Sequence, residues 1–116
     1  MTLDDLIKEF PEQFFDGCTT CVSDLPDGWG QLVREVMLKV KEHHVPVKWA
    51  QIKEKFGGLR MYETQVTQGS LHDLYDWIST AEHKASKTCQ QCGNVGKHRK
   101  GNVILCCSCE KHRRMN

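Results

Sequence analysis

The sequence predicts an α+β fold, a small helical body with a β-hairpin followed by a cysteine-rich C-terminal module. Apolar residues recur with helical spacing between positions 27 and 44, and apolar and polar residues alternate on both sides of Phe56-Gly57-Gly58. Two Cys-x-x-Cys pairs stand in the last quarter of the chain. We therefore expect a body over residues 1–88 and a separate module over residues 89–116.

The composition limits the class of protein. Only 39% of the 116 residues are hydrophobic and the mean hydropathy is -0.54, so the core is modest and a bound metal would matter for stability. No apolar run is long enough to cross a membrane, and the acidic start lacks the segments of a secretory signal. Seven cysteines without such a signal indicate a reducing compartment and metal ligation rather than disulfides.

The N-terminal segment carries the signals of a short helix. Thr2 can cap this helix, and Pro11 can end it. Four apolar residues share one of its faces: Leu3, Leu6, Ile7 and Phe10. We expect the segment to pack on the core, and a detachable helix that binds a partner is the alternative.

A third Cys-x-x-Cys follows at Cys18 and Cys21. Its flanks are turn-like, whereas a thioredoxin-type redox motif follows a strand and begins a helix. We favour two ordinary thiols over half of a second metal site with His43 or His44, and the redox pair is the least favoured interpretation.

Two further helices and a hairpin complete the predicted body. The first helix begins at Asp27 or Gly28 and extends to about residue 44, before Pro46. Its apolar stripe consists of Trp29, Leu32, Val33, Val36, Met37 and Val40. Residues 47–53 and 59–64 are predicted strands joined by a glycine turn. A capping box at residues 70–73 begins a helix to about residue 87.

Basic residues at the hairpin form a possible secondary surface. They are interleaved with aromatic side chains, as in proteins that hold single-stranded nucleic acid by phosphate contacts and stacking. The three residues are Lys53, Lys55 and Arg60. An ordinary hairpin with one polar face explains the same pattern, and we favour it.

The strongest signal is the C-terminal set of cysteines. Cys89 and Cys92 form one pair, Cys106 and Cys109 form the other, and 13 residues separate the pairs. This spacing predicts four thiolates around one structural Zn²⁺, a set that leaves no open position for a catalytic water. Cys107 could replace Cys106, but the two-residue gap favours Cys106. Four unrelated thiols are the alternative.

The module is basic, whereas the body is acidic. Through His83 the chain has eight Lys and Arg against fourteen Asp and Glu, and from Lys84 onward it has eight against the single Glu110. Six of these basic residues lie in the loop between the pairs or after the last cysteine, on either side of a short strand at residues 103–105: Lys97, Arg99, Lys100, Lys111, Arg113 and Arg114. They can converge on one surface that contacts phosphates. A solvated face, or attraction to the acidic body, is the alternative.

One stretch carries a resemblance to a known family. Residues 52–62, Ile-Lys-Glu-Lys-Phe-Gly-Gly-Leu-Arg-Met-Tyr, resemble the signature of small tailed-phage and prophage proteins of unknown function. Three features occur in the same order in that family: Gly28-Trp29 at a helix start, Ala81-Glu82 in a later helix, and the Cys-x-x-Cys-Gly turn. The resemblance covers residues 27–109, and it implies phage origin and action in the bacterial cytoplasm. It implies no activity and no catalytic residues.

Three classes of function remain. We expect a phage-encoded zinc-binding accessory protein that binds nucleic acid or a host complex that handles nucleic acid. The alternative is a phage inhibitor of a host enzyme or defence system, in the manner of an anti-CRISPR protein, acting through protein contacts of the acidic body. A zinc-dependent nuclease is the least favoured, because no open metal site or His-carboxylate motif is evident. We expect no enzyme, no membrane partner and no small-molecule substrate.

Overall fold

The computed structural model describes residues 2–15, 25–64 and 71–115. The described part contains α1 (Leu3–Glu9), α2 (Gly30–Glu42), β1 (Lys48–Lys55), β2 (Gly58–Thr64), α3 (Leu71–Ala85), β3 (Lys97–Arg99), β4 (Val103–Leu105) and α4 (Cys107–Met115). Strands β1 and β2 form one antiparallel hairpin, and β3 and β4 form another. The predicted α+β class with a C-terminal cysteine cluster is therefore confirmed.

Some sequence predictions fall on other parts of the chain. Cys18 and Cys21, with the second metal site considered for them, lie outside the described residues, as does the predicted cap Ser70. Among the helices that are described, none is long and apolar enough to cross a membrane. The division into a body and a separate module stays a prediction.

Helix α1 begins with the predicted cap. The Thr2 hydroxyl accepts a hydrogen bond from the Asp5 N–H at 3.2 Å, and the Asp5 carboxylate accepts one from the Thr2 N–H at 3.0 Å. Leu6 and Phe10 are fully buried, and Glu9 forms a two-bonded ion pair with Arg34 of α2. The expectation that this segment packs on the core is confirmed.

One buried polar side chain connects the N-terminal segment to the core. Gln13, which is 2% exposed, donates to the Met37 carbonyl of α2 at 2.9 Å. Its side-chain oxygen accepts from the indole N–H of Trp49 in β1 at 2.9 Å. Both hydrogen bonds are buried, and Gln13 gives the Trp49 indole N–H an acceptor that it would otherwise lack in the core.

Helix α2 and the turn before it bury the predicted apolar stripe except for Leu32, which is partly buried, but the helix ends earlier than expected. A 3₁₀ turn at Asp27–Trp29 precedes it, and its last helical residue is Glu42. His44 then adopts a left-handed conformation with φ 55°, while the N–H of Val45 bonds to the carbonyl of Val40 at 3.0 Å. This is a Schellman end, so the chain leaves the helix through His44 before Pro46 is reached.

The β1–β2 hairpin is present, but its turn lies one residue earlier than predicted. Lys55 pairs with Gly58, so the two turn residues are Phe56 and Gly57, with φ 55° and 82°. Positive φ at both positions is the type I′ geometry that matches the twist of two-residue hairpins. One face of the hairpin packs in the same hydrophobic core as α2 and α3. The hairpin and α3 contribute these buried side chains to it: Trp49, Ile52, Leu59 and Met61 from the hairpin, and Leu74, Ile78, Ala81 and Ala85 from α3.

The C-terminal module differs from its prediction at two places. Residues 97–99 form strand β3 paired with β4, not a loop, and the basic tail lies on helix α4. The helix carries Glu110 in its first turn and His112, Arg113 and Arg114 in its last, a charge order that suits the helix dipole. A turn, a short hairpin and a helix start therefore surround the cysteines.

Candidate metal centre and its basic surface

Four cysteines from three structural elements converge at one point. Cys89 and Cys92 lie in the turn after α3, Cys106 directly follows β4, and Cys109 lies in the first turn of α4. Their four Sγ atoms all lie within 4.8 Å of one another, and those of Cys92 and Cys106 are 3.6 Å apart. Tetrahedral Zn–S bonds of about 2.3 Å place sulfurs roughly 3.8 Å apart. The cluster therefore fits one tetrahedral metal ion.

Backbone hydrogen bonds shape the two Cys-x-x-Cys turns. In the first turn, the Gly93 N–H bonds to the Cys89 carbonyl at 3.0 Å and the Cys89 N–H to the Asn94 carbonyl at 2.7 Å. Gly93 has φ 85°, a left-handed conformation that glycine adopts without strain. In the second turn, the Cys109 N–H donates to the Cys106 sulfur at 3.4 Å. Both turns thus aim their sulfurs at the same point.

The surroundings favour thiolates at two of the four positions. Burial raises the pKa of Cys89, but backbone N–H groups, first that of Cys92, more than offset it and lower the pKa to about 6. The backbone N–H of Cys109 lowers the pKa of the Cys106 thiol. The Cys106 sulfur in turn raises the pKa of Cys109 to about 12 through their hydrogen bond. Clustered thiols cannot all ionise alone, and a bound cation supplies the charge that lets them do so.

The fifth described cysteine takes no part in the cluster. Cys107 is exposed, and its sulfur lies 3.8 Å from a guanidinium nitrogen of Arg99. Its neighbour Cys106 is 8% exposed and belongs to the four-cysteine group. The structure thus selects Cys106 over Cys107, as the two-residue gap indicated, and all five described cysteines are free of disulfides.

The first cysteine turn is fixed to the body. The Gly28 N–H donates to the Gln90 carbonyl at 2.8 Å, and the Trp29 indole N–H donates to the Thr88 carbonyl at 2.8 Å. The backbones approach so closely that a Cβ on Gly28 would lie 2.1 Å from the Cys89 carbonyl oxygen. Sequence reasoning did not identify Gly28 as a contact of the metal centre, although its place before the α2 stripe was evident.

The same turn is fixed to the second hairpin. The Gln90 N–H donates to the Ile104 carbonyl at 2.8 Å, and the Gln90 side-chain oxygen accepts from the Ile104 N–H at 2.7 Å. Ile104 is 3% exposed and packs in the main core. The metal ligands on this turn are therefore held between the body and β4.

Two of the six basic residues predicted to contact phosphates form hydrogen bonds within the protein. Arg99 donates to the Leu105 carbonyl at 3.1 Å, and Arg113 donates to the Lys100 carbonyl at 3.1 Å and to Glu110 at 3.0 Å. These bonds tie β3, the β3–β4 turn and α4 together. Arg113 therefore has a structural role as well as a charge.

The other four basic residues are exposed and have no side-chain partner among the described residues: Lys97, Lys100, Lys111 and Arg114. Two of them, Lys111 and Arg114, line an open groove of about 410 Å³ together with Arg99 and Cys107. Charges from β3 and α4 thus meet at one surface. Arg99, Lys111 and Arg114 therefore line one groove, and Arg113 brings the Lys100 backbone to the same helix. That all six residues form one binding surface stays a prediction.

The secondary surface is partly internal. Lys53 and Arg60 are paired across the β1–β2 hairpin and are half-buried. Burial raises the pKa of nearby Glu82, and the charge of Arg60 partly offsets this effect. Only Lys55 is exposed, and its ammonium lies 5.8 Å from the centre of the Phe56 ring. The three residues therefore do not form one free basic face.

Four sulfur ligands in tetrahedral range suit Zn²⁺ or another metal that prefers thiolates, and they fill the coordination sphere. A site of this kind stabilises a fold rather than activating a water. Comparisons with protein-family models, with curated proteins and with solved structures found no match.

Proposed function

We propose that the cysteine cluster holds one structural Zn²⁺ and that the module presents a basic surface to the phosphates of nucleic acid. One observation carries the proposal: the four cysteines sit where β3–β4 and α4 meet, and these elements with their turn bear all six basic residues. A metal bound there would fix the spacing of the charges. Phosphate contacts by Lys and Arg supply most of the affinity of such surfaces.

The distribution of charge favours an anionic partner. From Lys84 onward the sequence contains eight basic residues and one acidic residue, Glu110. Glu110 is already paired with Arg113. The four exposed residues without partners lose no internal contact when they bind a phosphate. We propose that the protein is an accessory factor of phage origin that acts in the bacterial cytoplasm. This part of the proposal rests on the resemblance of residues 52–62 to small tailed-phage and prophage proteins.

The metal is tested first. The purified chain is expected to contain one zinc per chain by elemental analysis, and a strong chelator is expected to lower its melting temperature. Added Zn²⁺ should restore the transition, whereas Mg²⁺, which prefers oxygen ligands, should not. Purification without any thiolate-binding metal would overturn the zinc part of the proposal.

Nucleic-acid binding is tested by fluorescence anisotropy with a labelled oligonucleotide at several salt concentrations. Replacing Lys100 and Lys111 with Gln should reduce the slope of log K against log salt by about 1.4 to 1.8, because each phosphate contact contributes about 0.7 to 0.9. The matched control replaces Lys8 and Lys39, two exposed lysines of the body, and should leave the slope unchanged. Equal slopes for all three proteins would contradict the assignment of the surface.

The same material distinguishes the inhibitor hypothesis. Co-purification from bacterial cells with nuclease treatment would remove partners held through nucleic acid. A single host protein that survives nuclease, and that survives the Lys100 and Lys111 substitutions, would instead place the function on protein contacts of the acidic body.

A further inference from the structure

The tip of the β1–β2 hairpin has a conformation that its sequence does not favour. Phe56 occupies the first position of the type I′ turn with φ 55° and is 72% exposed. Type I′ turns favour Asn or Gly at this position, because a bulky residue is strained at positive φ. The Phe56 ring therefore adds little to core packing and costs backbone stability. Strained positions of this kind cluster at functional sites.

Contacts on both sides fix the tip in place. The Gly57 N–H donates to the Glu54 carboxylate at 2.7 Å. A Cβ on Gly57 would lie 3.0 Å from the Asn102 carbonyl oxygen and 3.4 Å from the His98 imidazole. Asn102 belongs to the turn of the β3–β4 hairpin, so the two hairpin tips touch. The exposed ring is consequently held at the edge of the basic module.

One cation lies beside the ring, and the neighbouring hairpin carries others. The Lys55 ammonium lies over the Phe56 ring at 5.8 Å, and the hairpin that touches the tip carries the exposed Lys97 and Lys100. An exposed aromatic ring beside a lysine suits a nucleotide, whose base can stack on the ring while its phosphate meets the ammonium group.

We infer that Phe56 is a base-stacking residue and that the nucleic acid bound by this surface is single-stranded. The inference rests on the proposed function and names its substrate class. Bases inside a duplex are already stacked on each other and must be separated before an aromatic ring can enter, so the ring stacks at lower cost on unpaired bases. The stack would add affinity that does not depend on charge, beside the salt-dependent phosphate contacts.

The test compares two strands of equal length, oligo-dT and a strand in which every base has been removed. Both carry the same phosphates, so their affinity ratio measures the contribution of bases. The wild-type chain should prefer oligo-dT by about 5- to 150-fold, the range expected for one stacked base. The variant Phe56→Asn should lose this preference, and Phe56→Tyr, which keeps an aromatic face, should retain it.

The asparagine variant separates binding from folding. Asn is favoured in the turn, so Phe56→Asn should melt at or above the wild-type temperature and keep its zinc. If Phe56→Asn prefers oligo-dT as strongly as the wild type does, the inference is overturned. The proposed phosphate-binding surface is unaffected by that result as long as the affinity still depends on salt with the same slope. Stronger binding to a duplex than to oligo-dT also overturns it. Failure of the wild-type chain to bind either strand overturns both the inference and the proposed function.

Discussion

Replacing Gly28 with Ala tests how the metal centre is attached to the body. A Cβ at this position would lie 2.1 Å from the Cys89 carbonyl oxygen and 2.7 Å from the carbonyl carbon of Gln90. Both obstacles are backbone atoms, so no side-chain rotation can relieve the overlap. The turn must move by about 1 Å to relieve the overlap, because a Cβ essentially never lies closer than 3.0 Å to an atom beyond its own residue and that residue's two chain neighbours. That movement breaks the 2.8 Å hydrogen bond from the Gly28 N–H to Gln90.

The expected loss of stability follows from these two effects. Forced overpacking costs about 1–3 kcal/mol, and one backbone hydrogen bond contributes about 1 kcal/mol. The free energy of unfolding of the zinc-loaded chain should therefore fall by about 2–4 kcal/mol. For a domain of this size the melting temperature should fall by roughly 10 °C. Because Cys89 is part of the displaced turn, zinc should also be released faster to a chelator.

Thermal unfolding by circular dichroism, with parallel zinc-release kinetics, measures both quantities. Gly58→Ala is the matched control, because its Cβ would lie 3.4 Å from the Lys55 carbonyl oxygen and from the Arg60 guanidinium, which is close to ordinary contact. The control should change the free energy of unfolding by less than about 1 kcal/mol. A Gly28→Ala protein as stable as the wild type would refute the close approach on which the estimate depends.

Two further predictions concern the cluster and the core. Cys106→Ser should fail to retain one zinc per chain, whereas Cys107→Ser should retain it, and elemental analysis of the two purified variants decides between the adjacent thiols. Gln13→Leu should lower the free energy of unfolding by about 1–3 kcal/mol in urea titrations, because it removes two buried hydrogen bonds and leaves the Trp49 indole N–H without an acceptor. The same change at exposed Gln51 should have little effect, and equal losses at both positions would contradict the buried network.

The sequence predicted the cluster well because its geometry is local. A two-residue gap brings two thiols to one side of a turn wherever it occurs, so Cys89, Cys92, Cys106 and Cys109 could be assigned from spacing alone. The stripe of α2 was equally clear, since thirteen residues are enough to establish helical periodicity. Its end at Glu42 was not, because the left-handed conformation of His44 that ends the helix carries no strong sequence signal.

Strand β3 and helix α4 were missed for a different reason. The residues Lys97-His98-Arg99 show no apolar alternation, and the nine residues of α4 bury no side chain. Both elements depend on partners, β4 for the strand and the cysteine cluster for the start of the helix. The acidic-to-basic charge order of α4 is the one signal that could have revealed it. The contact between Gly28 and Cys89 joins positions far apart in sequence, so periodicity and spacing cannot reveal it.

The pairing of Gln90 with Ile104 has a consequence for self-association. A two-stranded hairpin exposes backbone N–H and carbonyl groups along its outer edges, and such an edge is a template on which another chain can add a strand. On β4 the N–H and the carbonyl of Ile104 are both taken by Gln90, through its side chain and its own backbone. One glutamine thus occupies the centre of the β4 edge, and this edge is protected from strand addition without a charged residue inside the strand.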